Sequence, residues 1–62
     1  MKRDKFLRHL RTHGCELARN GAKHDIWQHA GHSKQTAVPR HAEIDDWTCG
    51  AICKQLEIPK PR

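Results

Sequence analysis

Asn20-Gly21 separates two short stretches of alternating character, residues 15–19 and residues 24–29. An Asn-Gly pair between two such runs is the strongest short-range signal for a β-hairpin, because both residues tolerate the backbone of a tight reversal. The middle of the chain is therefore expected to be antiparallel sheet. In the first strand Cys15 and Leu17 share one face, with Glu16 and Arg19 nearer solvent. In the second, His24, Ile26 and Gln28 share one face and Asp25, Trp27 and His29 the other. Ala30-Gly31-His32-Ser33 reads as a second turn, and residues 34–38 as a third strand with Thr36 and Val38 facing together. Pro39 cannot donate to a ladder, so it ends that strand or lies on a sheet edge.

On either side the apolar period is helical. Over residues 2–13, Phe6, Leu7 and Leu10 form one stripe. Asp4 near the start and Arg8, Arg11 and His13 later suit the helix dipole. Gly14 then supplies a stop, since it can take the left-handed conformation past the last turn. From Glu43 a second helix is expected, with Ile44, Trp47 or Thr48, Ala51, Ile52 and Leu56 as its stripe. Glu43, Asp45 and Asp46 crowd its first turn and Lys54 its last. Trp47 can serve the core or an interface, and the stripe favours the core. The order helix, three strands, helix predicts an α+β two-layer sandwich. Both helices cover one face of the sheet, and the other stays open to water or a ligand.

Size narrows the function classes. A chain of 62 residues makes a single domain, residues 1–62, near the lower limit for independent folding. With 35% hydrophobic residues, the core holds about ten side chains. That excludes a nucleotide-binding α/β fold and a large active-site cavity. Small binding modules, surface-acting hydrolases and subunits completed by a partner remain. Residues 59–62, with Pro59 and Pro61, are expected to fray.

Twelve Lys and Arg against seven Asp and Glu give a net charge of +5. A small basic domain suits a polyanionic partner, nucleic acid above all. No stretch approaches the roughly 20 apolar residues of a membrane span. The basic start, Met1 to Lys5, lacks the apolar run of a signal peptide. Three cysteines make an odd count with no disulfide framework. Together these predict a cytoplasmic protein without a membrane partner.

Six histidines carry the chemical options. His9 with His13, and Cys49 with Cys53, stand at i, i+4 spacing and can form a zinc site if the two helices meet. No C-x-x-C spacing supports that site, and Cys53 beside the apolar stripe reads as a small hydrophobe. A cysteine nucleophile needs a thiolate beside a base or a helix N-terminus, whereas Cys15 faces the core and Cys49 and Cys53 lie within a helix. No metal or other cofactor is therefore expected. The third option is histidine as general acid–base on RNA, since imidazole titrates near neutrality. His24 is the best placed, opening the central strand after Gly21-Ala22-Lys23 with Lys23 as a basic neighbour. If Ile26 faces the core, alternation points His24 the same way, although a strand end also puts it at the rim. The alternative is an edge histidine bonded to backbone. Arg40 and His41 follow the third strand, where both can reach a phosphate. Their alternatives are plain exposure for Arg40 and a helix cap for His41.

These stretches together resemble the HicA family, small mRNA interferases of bacterial type II toxin–antitoxin pairs. The resemblance spans residues 2–59. It rests on the helix ending His13-Gly14, on Gly21-Ala22-Lys23-His24, on Val38-Pro39-Arg40-His41, and on Glu43-Ile44 leading to Ala51-Ile52-Cys53-Lys54-Gln55-Leu56. It implies a fold like that of double-stranded-RNA-binding domains, and a metal-independent endoribonuclease that cleaves mRNA and arrests growth. It implies a HicB-type antitoxin that masks the active site, with operator DNA bound only through the toxin–antitoxin complex. The family's catalytic histidine falls on His24, and RNA-binding roles fall on Lys23, Arg40 and His41. Many relatives have Gly-Ser before that histidine, where this chain has Gly-Ala-Lys. Relatives often carry a basic residue where this chain has Asp45-Asp46-Trp47. A non-catalytic RNA-binding module of the same fold, or an inactive degenerate toxin, is the alternative.

Overall fold

A computed structural model describes residues 1–61. The elements run α1 (Arg3–Thr12), β1 (Cys15–Asn20), β2 (His24–His29), β3 (Gln35–Pro39) and α2 (Asp46–Leu56). The sheet is antiparallel in the order β1-β2-β3, so β2 is central. This is the expected α+β sandwich. One face of the sheet packs Cys15, Trp27 and Val38 against both helices. None of the strand residues on the other face is buried.

The first helix follows its apolar stripe. Phe6, Leu7 and Leu10 are buried, and Gly14 ends the helix at φ +85°. Arg11 lies over the Trp27 ring, 5.2 Å from its centroid, and helps to reduce that residue to 2% exposure. Leu17 departs from the sequence reading. It lies opposite Trp27 on the helix side, yet is 47% exposed. Burial along β1 ends at Cys15, and the register slips between Leu17 and Arg19. The rest of this edge strand stands clear of the core.

The second helix starts three residues later than expected. Glu43 and Ile44 are instead extended and pair with the N-terminus. Lys2 bridges Glu43, the Ile44 N–H donates to the Met1 carbonyl at 2.8 Å, and the Met1 ammonium donates to the Ile44 carbonyl at 2.9 Å. Asp45 is the N-cap, accepting from the Thr48 N–H at 2.9 Å. The buried face is Cys49, Ile52, Cys53 and Leu56, an i, i+3, i+4, i+7 set. Trp47 sits about 200° around the helix from Cys49 and is 80% exposed. Its expected place in the core is taken by the two cysteines. They act as small hydrophobes, and burial pushes the Cys53 thiol up to about 11.

Glu57 ends α2 in the left-handed conformation. The following segment, expected to fray, makes contacts with both helices. His9 Nε2 donates to the Pro59 carbonyl at 2.7 Å, and the Lys60 side chain crosses Gly50. Arg62 lies outside the described residues. Among the described residues no helix is long and apolar enough to cross a membrane.

Candidate active site on the open face of the sheet

Trp27 decides which face of β2 is which. It is the one buried residue of that strand, so Asp25 and His29 share its inward face and His24, Ile26 and Gln28 point outward. The condition that Ile26 faces the core is thus reversed. Alternation brings His24 out with Ile26 onto the open face, and it is exposed. Along that face the central strand is flanked on both sides. Gln28 donates to Glu16 of β1 at 3.1 Å and accepts from Gln35 of β3 at 3.2 Å. Ile26 lies between Arg19 and Ala37, and His24 lies opposite Pro39. One end of the face is a polar ladder of Glu16, Gln28 and Gln35, and the other carries His24 with Arg19 diagonal to it.

The three-residue turn before His24 is fixed by close contact. The Gly21 N–H donates to the His24 carbonyl at 2.8 Å. A Cβ at position 21 would come within 2.6 Å of that oxygen. Glycine is required here for space rather than for a left-handed backbone, since Gly21 does not have positive φ. Lys23 stands exposed in the turn beside His24.

Arg40 is turned back onto the same turn. Its Nη2 donates to the Gly21 carbonyl at 2.6 Å, Nε donates to Asp25 Oδ1 at 2.9 Å, and Nη1 reaches the Ala22 carbonyl at 3.5 Å. From the other side Arg3 Nη2 donates to Asp25 Oδ2 at 2.7 Å, and Arg3 Nε donates to the Pro39 carbonyl at 3.1 Å. The Asp25 carboxylate is held between two guanidiniums. The hydrogen bond from Arg40, then the charges of Arg40 and Arg3, hold its carboxyl below the ordinary range against the cost of desolvation.

His41 is exposed, two residues beyond the partner of His24. It lines a shallow hollow with Pro39, Glu43 and Asp45. The helix cap it could have supplied comes from Asp45. The structure thus gathers His24, Lys23 and Arg40 at one turn and sets His41 on the adjoining loop. Arg19, Asp25 and Arg3 are additions that sequence reasoning did not single out. For Arg19 the one available signal was its solvent-side place in the alternation.

The remaining candidates lie elsewhere. The His9 and His13 rings pack at 4.4 Å between centroids on α1, while Cys49 and Cys53 are buried in the core. Burial raises all three thiols above their ordinary value, which disfavours the thiolate that a nucleophile or metal ligand requires.

A family model for the HicA toxin of bacterial toxin-antitoxin matches residues 3–58. That span takes in every helix and strand. Neither curated proteins nor solved structures gave a match to the chain.

Proposed function

The chain belongs to the HicA family of toxins of bacterial toxin–antitoxin systems, and from that premise we propose that it is a metal-independent endoribonuclease acting on mRNA, with His24 as general acid or base. The observation that carries this reading is the place of His24. It is an exposed imidazole at the head of the central strand, on the face that no helix covers. An RNA strand can approach there without a deep pocket. As base, the imidazole takes the proton of a ribose 2′-hydroxyl while that oxygen attacks the adjacent phosphorus. The bond from phosphorus to the 5′-oxygen breaks, and that oxygen leaves with a proton taken from water. The products are a 2′,3′-cyclic phosphate and a 5′-hydroxyl. As acid, the imidazolium supplies the leaving-group proton instead. Lys23 and His41 hold phosphates on either side of the scissile bond, and Arg19 extends the basic track along the open face. Phosphate contacts make binding weaken as salt rises.

The protein acts in the cytoplasm, and a HicB-type antitoxin neutralises it by covering the His24 face. Operator DNA is contacted only through the complex. Exposed Trp47 is an additional anchor for that partner, since a large aromatic side chain is a frequent hot spot at protein interfaces.

Induced expression of the wild type and of His24→Ala, with total mRNA integrity followed and folding checked by circular dichroism, tests the reading. Growth arrest and mRNA decay with the wild type alone are expected. Equal arrest and decay by both remove His24 from the mechanism. Tight RNA binding without cleavage identifies a non-catalytic RNA-binding module instead, and a folded protein with neither property is a degenerate toxin.

A further inference from the structure

Resting on that reading, we propose that Asp25 and Arg40 are positioning residues that clamp the Gly21-Ala22-Lys23 turn and so hold His24 in place, and that Arg40 is not a phosphate ligand. Sequence alone presents Arg40 as a free cation beside His41. In the fold its guanidinium is turned inward onto Asp25, Gly21 and Ala22, with all three nitrogens engaged. The backbone bond from Gly21 to the His24 carbonyl closes the turn, and Arg40 gathers the Gly21 and Ala22 carbonyls from outside it.

Asp25 completes the clamp. It follows His24 directly but points to the opposite face, so it acts on His24 through the shared backbone rather than by touching RNA. Its two oxygens answer two different arginines, one from α1 and one from the end of β3. The carboxylate is only 14% exposed, which strengthens these charge-assisted bonds relative to open solvent. His24 is therefore braced on both sides, by the turn before it and by Asp25 after it. Placement matters, because a shift of about 1 Å in a catalytic group can cost about 100-fold in rate. The contacts at position 40 suit an arginine. A planar fork can serve a carboxylate and two carbonyls together, whereas a lysine ammonium is a single point of charge.

The test compares full-length wild type, Arg40→Lys and Asp25→Asn. One arm measures cleavage of a short single-stranded oligoribonucleotide across a salt series. A second measures amide exchange at Gly21, with Leu10 and Trp27 reporting on the global fold. The clamp predicts that each variant lowers kcat by about 10- to 100-fold, with KM and the salt slope unchanged. It also predicts that exchange at Gly21 speeds up about 10-fold more than exchange at Leu10 and Trp27, which follow only the change in global stability. A phosphate role for Arg40 predicts otherwise. Arg40→Lys would then keep kcat, and Asp25→Asn, by removing a negative charge, would lower KM. Either of those results, or unchanged Gly21 exchange in both variants, overturns the clamp. Faster Gly21 exchange in the variants with no cleavage by the wild type overturns the ribonuclease reading and leaves the clamp of the turn standing.

Discussion

The two faces of β2 divide the work of this protein. Inward, Trp27 is almost wholly buried beneath Arg11 and the helices, and Asp25 is tied to two arginines. Outward, His24, Ile26 and Gln28 meet water across a face without a single buried strand residue. Within one six-residue strand, Trp27 and Asp25 hold the fold from one face while His24, Ile26 and Gln28 lie on the other. A domain this small has no separate scaffold for its chemistry. Alternation is the device that lets neighbouring residues serve opposite ends, and a one-residue slip would exchange them.

Substitutions on each face break or sharpen that comparison. The largest effect is expected from Trp27→Ala, which should cost about 3–5 kcal/mol. That equals or exceeds the few kcal/mol available to a domain of this size, so thermal melts should show no cooperative transition. Ile26→Ala, one residue away on the open face, should cost under about 1 kcal/mol; an equal loss from both would mean that the faces are not distinct. His24→Ala should reduce cleavage by about 100- to 10,000-fold while moving stability by no more than about 0.5 kcal/mol. Gly21→Ala links the two functions, because its Cβ would push on the His24 carbonyl. It should cost about 1–3 kcal/mol and lower kcat as well, measured by denaturant titration beside a cleavage assay.

The inward face also predicts a pH dependence. The Asp25 carboxyl is depressed in the fold, so the folded state favours its ionised form. The stabilisation it provides is fully present above the unfolded carboxyl value of about 3.9 and is lost as pH falls through the lower folded value. Asp25→Asn should remove this contribution and flatten the acid limb of the stability curve, measured as Tm against pH. The smallest change in stability is expected from Trp47→Ala, within about 0.5 kcal/mol. Its effect should fall on the antitoxin, weakening binding by about 10-fold or more in a titration of the purified partner.

Much of the fold was legible in advance. The stop at Gly14 and the edge position of Pro39 follow from local backbone chemistry. So does the stripe of Phe6, Leu7 and Leu10. The hairpin falls where Asn20-Gly21 signals it, but Gly21 serves there by leaving room for the His24 carbonyl and not by a positive φ. The second helix was less legible, because Glu43 and Asp46 suit a helix start equally well. Strand-like pairing of residues 43 and 44 with the N-terminus settled the matter, over a separation of 43 residues. Trp47 departs from the apolar stripe for the same reason. Once the helix starts at Asp46, its inward positions fall on Cys49, Ile52, Cys53 and Leu56, and the tryptophan is carried around to the surface. Of the candidate site, His24 stood out through residue type and its place after the turn, whereas Asp25 looked like an ordinary strand residue.

The sequence by itself determined the order of the elements, the pairing of β1 with β2, and the histidine that heads the central strand. Those depend on φ/ψ preference and hydrophobic period, which act over a few residues. Only the tertiary structure decided that Trp27 rather than Ile26 turns inward, that Trp47 turns outward, and that Arg40 binds Asp25 and the turn. Alternation is symmetric under exchange of faces, so the pattern of β2 fits both orientations until the helices choose one. The partners of Arg3, Asp25 and Arg40 lie 15 to 36 residues away, and no local rule reaches that far.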